Sequence, residues 1–226
     1  MASESINASP ASIFASLAKT LGGIDSDLTA EKWTNEFVAH YTEPQRHYHT
    51  LAHIHSMLDC LDHLSTNSSK RGGDEAGHFF SRLDIRSGPK GKENEIESIR
   101  SFRAFAGEIE LEEDLVSRVS QYSERTITHT LPSEVQESES DLDLCLFLDF
   151  DLEVPSRDEC AYARYAEEIR KEYGHMELPD YRTGRVRVLR SFLGRERLFF
   201  SDAFHQTREQ KARENLEQEI SNLIAP

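Results

Sequence analysis

Cysteine, positive charge and long apolar runs are all scarce in this chain, and each scarcity excludes something. Only three of its 226 residues are cysteine, Cys60, Cys145 and Cys160. They form an odd, widely spaced set in which no pair has metal-ligand spacing and no disulfide framework can be read. No run approaches the 18 apolar residues needed to span a bilayer. The Ser- and Ala-rich amino terminus lacks the continuous apolar core of a secretory signal. The expectation is a cytoplasmic protein of a reducing compartment. Basic side chains number 26 against 41 acidic ones, a formal net charge of −15. Such a field repels nucleic acid and anionic membranes, so neither is expected as a partner. A phosphorylated substrate would need a metal or a local basic cluster to approach.

Alternating strand patterns are missing as well, and helical periodicity takes their place. Trp33, Phe37, Val38 and Tyr41 step along one helical face, as do Ile54, Met57, Leu58 and Leu61. Leu115, Val119, Tyr122 and Thr126 do the same, then Tyr162, Tyr165, Ile169 and Tyr173. A last amphipathic segment is expected from about Thr207 to Ile224, with Leu216, Ile220 and Leu223 on its stripe and Thr207 with Gln210 as a capping box. The expected fold is all-α, a single-domain helical bundle over 29–226. Residues 1–28 read as a partly flexible N-terminal extension. Residues 65–92 form an irregular Gly-, Ser- and charge-rich segment, and 132–141 an acidic loop.

Three places in the pattern carry chemistry. Four of the ten histidines, His47, His49, His53 and His55, fall within nine positions. His49 and His53 are four apart, the helical spacing at which two imidazoles converge on one metal ion. His53 shares the stripe of Met57 and Leu61 and is expected to point inward. A hydrogen-bonded core histidine among solvated ones accounts for the same spacing.

Second, Asp149 and Asp151 interrupt the apolar run LDLCLFLDFDL from Leu142 to Leu152. A buried carboxylate must meet a metal, a cation or hydrogen-bond donors. Asp151, three after Leu148 and seven after Leu144, is expected on the core stripe, with Asp149 about 200° round the helix. A salt bridge to arginine or an N-cap role would equally explain charge there.

Third, His129 follows Val119, Tyr122 and Thr126 at steps that place it on the buried face near its helix end, where it can also cap the helix. Arg46 beside the histidines and Arg185 in Thr183-Gly184-Arg185 are the candidate cations.

These pieces stand in a recognisable order. Tyr41-x-Glu43-Pro44-x-Arg46-x-Tyr48-His49-x-x-x-His53-Ile54 is followed by Glu93-Asn94-Glu95, Thr126-x-x-His129 and Phe147-Leu148-Asp149-Phe150-Asp151-Leu152. Tyr162-x-x-Tyr165-x-x-x-Ile169-Arg170-x-Glu172-Tyr173 comes next, then Gly184-Arg185-x-x-x-Leu189-x-x-Phe192-Leu193 and Glu209-x-x-Ala212-Arg213-x-Asn215-Leu216. From about Trp33 to Ile224 the chain resembles the predicted metal-dependent phosphohydrolases of the HD-domain superfamily. The likeness is to the small group with a Tyr-His-Asn-like element near its start.

The resemblance implies an α-helical domain holding a divalent cation, Mn, Mg or similar, and acting on a phosphoester or nucleotide. It implies His53, His49 and Asp151 as metal ligands, and Asp149 and His129 as catalytic groups. Arg46 and Arg185 are implied to hold the phosphate.

The chain departs from that family at one place. The family's His-Asp metal doublet corresponds to Ser81-Arg82 here, and no His-Asp dipeptide occurs anywhere. Serine is a poor ligand and arginine puts a fixed positive charge where a cation should sit. Two readings follow: a catalytically inactive member that binds a phosphorylated ligand or a protein partner, or a segment over 65–92 altered by an exon-boundary or reading-frame error. A purely structural scaffold would leave the buried His and Asp positions without a use.

Overall fold

A computed structural model describes residues 9–21, 26–67, 92–131 and 139–225. Among them every regular element is helical, and the fold is all-α. The helices are α1 (Pro10–Leu21), α2 (Ser26–Tyr41), α3 (Leu51–Asn67), α4 (Lys92–Glu108), α5 (Glu113–Thr126), α6 (Glu139–Asp151), α7 (Glu159–Glu172), α8 (Leu178–Leu193) and α9 (Asp202–Ile224), with a 3₁₀ turn at Val154–Ser156. Among the described residues no helix is long and apolar enough to cross a membrane. The chain gathers into two compact units, Met1–Ser133 and Glu134–Pro226.

The first unit is built on an aromatic centre. The stripe expected on α2 is buried: Trp33, Phe37 and Tyr41 are at most 7% exposed. Phe14 of α1 stacks on Phe37 at 5.3 Å between ring centroids and lies 5.3 Å from Phe105 of α4. Each such aromatic burial is worth roughly 2–3 kcal/mol. Ile54, Met57 and Leu58 of α3 and Val119 and Tyr122 of α5 are buried as their spacing predicts. The extension expected over 1–28 therefore needs correcting. Residues 10–21 form a helix whose Phe14 and Ala18 belong to the core, because Phe14, Leu17, Ala18 and Leu21 fall at i, i+3, i+4 and i+7 on one helical face.

The second unit centres on Phe147, Leu148, Phe150, Leu198, Phe199, Phe204 and Leu216, all at most 3% exposed. Helix α9 packs on the 3₁₀ turn, on α8 and on α7. Its start is Ser201, not Thr207. The Ser201 hydroxyl accepts from the Phe204 amide at 3.4 Å, while the Thr207 hydroxyl lies inside the helix and donates to the Ala203 carbonyl. The apolar stripe extends back through Ala212 to Phe204, which lies about one turn before the start that the capping-box reading allowed. Asp158 caps α7 by accepting from the Ala161 amide at 3.0 Å.

Most of the irregular segment at 65–92, including Ser81 and Arg82, lies outside the described residues, as do 132–138 of the acidic loop. The flanking residues 65–67 and Lys92 are helical, in α3 and α4.

Candidate functional site

In the first unit the histidine cluster forms around the turn into α3. Tyr48 and His49 precede the helix, the Thr50 carbonyl accepts from the His53 amide, and His53 sits in the first turn. The Tyr48 ring lies 4.9 Å from that of His49 and 4.7 Å from that of His53, and the two imidazoles are 5.9 Å apart between centroids. The two rings are neighbours, but His49 precedes the helix, so the one-face helical spacing expected to aim both imidazoles at a single metal ion does not describe how they meet. His53 is half-buried rather than inward on the stripe, and His49 is half-buried as well.

Arg46 stands behind this cluster. Its side chain is 2% exposed. Its Nε donates to Glu43 Oε2 at 3.3 Å, its Nη1 donates to the His49 carbonyl at 3.2 Å, and its guanidinium lies 5.1 Å from the Tyr41 ring centre. The cation therefore fixes the segment that carries His49, a positioning role the sequence did not reveal.

His129 also belongs to the first unit. It lies beyond the end of α5, its amide donates to the Arg125 carbonyl at 2.8 Å, and its φ is +47°. A left-handed residue at a helix C-terminus is usually glycine, since a Cβ there costs about 1 kcal/mol. The helical step that put His129 on the buried face of α5 stops at Thr126, and a chain-reversing backbone takes over.

In the second unit the carboxylates exchange the places expected of them. Asp149 is 0% exposed, whereas Asp151 is half-buried. Residues 147 to 150 are all buried, so the last turn of α6 is enclosed on every side and a one-sided stripe no longer ranks its positions. Asp149 meets hydrogen-bond donors: its Oδ1 accepts from the Phe200 amide at 2.7 Å, and its Oδ2 accepts from the Ser201 amide at 2.8 Å and from the Ser201 hydroxyl. Burial pushes its carboxyl up to about 6, against the pull of those donors and of the Arg197 charge. These bonds tie the end of α6 to the loop that starts α9.

Arg185 is likewise committed. Its Nε and Nη2 donate to Glu219 Oε1 and Oε2 at 2.8 and 3.1 Å, a bidentate pair with both side chains at most 11% exposed. The Tyr162 hydroxyl donates to Glu219 Oε2, and the guanidinium lies 5.4 Å from the centre of the Tyr165 ring. Burial, with the Glu219 charge second, holds the Tyr162 phenol protonated well above its ordinary range.

The remaining motif residues of this unit organise loops. Glu209 accepts from the amides of Leu198 and Phe199, and Arg213 donates to the carbonyls of Leu193, Arg195 and Glu196. Asn215 donates to the carbonyls of Pro155 and Arg157 at 2.7 and 2.8 Å. Burial raises the Glu209 carboxyl, but its backbone donors and Arg213 together outweigh it and leave the group below its usual range. Sequence spacing missed Glu219 and Ser201; a charged residue on the buried stripe of α9 was the available signal for Glu219.

Among the described residues no three His, Cys, Asp or Glu side chains gather where one cation would touch them all. The first unit's histidine pair supplies two imidazoles where a protein metal site uses three or four donors, and the Asp149 oxygens already accept three hydrogen bonds. The described donors do not make a complete metal site. Comparison with known proteins adds no family: no family model, no curated protein and no solved structure matches this chain.

Proposed function

We propose that this chain binds a small phosphorylated molecule or nucleotide at the Tyr48–His49–His53 cluster of its first unit and does not turn it over. The reading draws on the likeness to HD-domain phosphohydrolases and on the loss of the His-Asp doublet at Ser81-Arg82. The observation that carries it is the pair of half-buried imidazoles 5.9 Å apart, flanked by the Tyr48 ring and anchored by Arg46. Two imidazoles offer ring N–H donors to phosphate oxygens and need no cation to do so. The groups expected to serve the phosphate and the reaction from the second unit, Arg185 and Asp149, are engaged with Glu219 and with the Phe200–Ser201 backbone, which speaks against turnover.

Binding is read from thermal stability. With a nucleoside monophosphate at about 100 times its Kd, linkage supplies about 2.7 kcal/mol, or roughly 5–10 °C in Tm for a chain of this size. The rise is expected in the presence of EDTA and is expected to vanish in H49A/H53A. A rise that appears only with added Mn²⁺ and is accompanied by phosphate release would instead make the chain a working hydrolase.

A second expectation concerns the lost doublet. S81H/R82D returns two ligands to the family's pattern and is expected to raise Mn²⁺ affinity at least tenfold over the parent chain by isothermal titration. Equal Mn²⁺ affinity in the two proteins would remove the claim that these positions belong to a metal site.

A further inference from the structure

Helix α8 spans 16 residues and buries Tyr181, Val186 and Leu189. Its opposite face carries Asp180, Thr183, Arg187, Arg190 and Ser191, all exposed, with Val188 46% exposed at its border. The side chains of Asp180, Arg187 and Arg190 have no ion pair among the described residues. Gly184 lies half-buried on the Val188 side of this face, about 40–60° round the helix from Asp180 and Arg187. A Cβ added there meets no atom within 4 Å, so the fold of the unit does not require glycine. Mid-helix glycine nonetheless costs about 0.5–1 kcal/mol relative to alanine. A backbone approaching from outside gives that glycine a use.

The charges say which backbone. Asp180 stands about 6 Å before Gly184 along the helix axis and Arg187 about 4.5 Å after it. They are seven residues apart, two turns, and so share one edge of a contact centred on Gly184. A twofold axis through Gly184, perpendicular to the helix, sets a second α8 antiparallel and keeps that edge on the same side. Asp180 of each copy then falls within about 1.5 Å of the axial level of Arg187 of the other, with Arg190 one turn beyond. The arrangement is isologous and makes each ion pair twice. A nucleic acid or an anionic membrane would meet Asp180 and the −15 field instead.

We propose that the protein forms a twofold homodimer through antiparallel pairing of α8, crossing at Gly184 with Asp180 of each copy paired to Arg187 of the other. Val188 lies one turn from Gly184 and covers the crossing.

Sedimentation equilibrium of the full chain tests this through a charge exchange. The wild-type chain is expected to dimerise in the micromolar range at low salt and to weaken as salt rises. D180R and R187D each place like charges across the axis and are expected to raise the dimer Kd tenfold or more. The double variant D180R/R187D restores opposite charges and is expected to return within about threefold of wild type, a recovery that a merely destabilised fold would not produce. G184L is expected to leave circular dichroism unchanged and to abolish the dimer. A wild-type chain that stays monomeric at low salt overturns the proposal. So does a dimer indifferent to D180R and R187D, or a double variant no better than the singles.

Discussion

Replacing Asp149 by alanine is expected to lower stability by about 3–5 kcal/mol, roughly 6–20 °C in Tm for a chain of this length. Three donors, the Phe200 amide and the amide and hydroxyl of Ser201, lose their acceptor at once. Ser201 is also the N-cap of α9, so losing its anchor loosens the start of the longest described helix. Urea unfolding followed by circular dichroism measures the loss. Trp33 fluorescence does not serve, because the only tryptophan belongs to the first unit. A change below about 1 kcal/mol, the worth of one ordinary hydrogen bond, would mean that Asp149 does not hold this loop.

The same residue imposes a pH dependence with a definite sign. An unfolded aspartate ionises near about 3.9, whereas burial raises Asp149 in the folded protein to about 6. Between those values the folded chain keeps a proton that the unfolded chain has lost. The contribution is fully present below pH about 4 and is lost as pH rises through about 6, a span worth about 3 kcal/mol. Glu209, whose carboxyl is lowered, acts in the opposite sense at lower pH. The clean measurement is therefore the difference in stability between wild type and D149N, which has no titrating group at this position. That difference is expected to move in favour of D149N from pH 4 to pH 7.

The second large effect belongs to the Arg185–Glu219 pair. E219L leaves a buried guanidinium without its partner and the Tyr162 hydroxyl without its acceptor. A loss of about 3–5 kcal/mol is expected, and R185M, which strands the carboxylate, should lose a similar amount. The double variant R185M/E219L exchanges the pair for apolar side chains of similar reach. It is expected to lie well above the sum of the single losses, with a coupling energy of at least about 2 kcal/mol in a double-mutant cycle. Additive losses would show that the two side chains are not energetically paired and would return Arg185 to the role of a free phosphate contact.

Asp149 and Arg185 stood out in the sequence, which suggested a different use for each, whereas Glu219 did not. The run Phe147-Leu148-Asp149-Phe150-Asp151 announced that at least one carboxylate is buried, and hydrogen-bond donors were among the partners it allowed. Which carboxylate was not legible. Periodicity ranks positions when one side of a helix faces water, and the last turn of α6 is enclosed. Arg46 was read as a phosphate contact; its guanidinium instead anchors the backbone of His49. His129 was read by extending α5 one turn too far, past a residue with positive φ.

What the sequence determined by itself was local. The helical step placed Trp33, Phe37 and Tyr41, then Ile54, Met57 and Leu58, in the first unit's core. Only the tertiary structure decided that Asp149 binds a loop 51 and 52 residues away and that Arg185 meets Glu219 across 34 residues. A hydrogen-bond partner is chosen by which backbone and side chains arrive beside it. Along the chain an aspartate held by amides reads the same as one waiting for a cation.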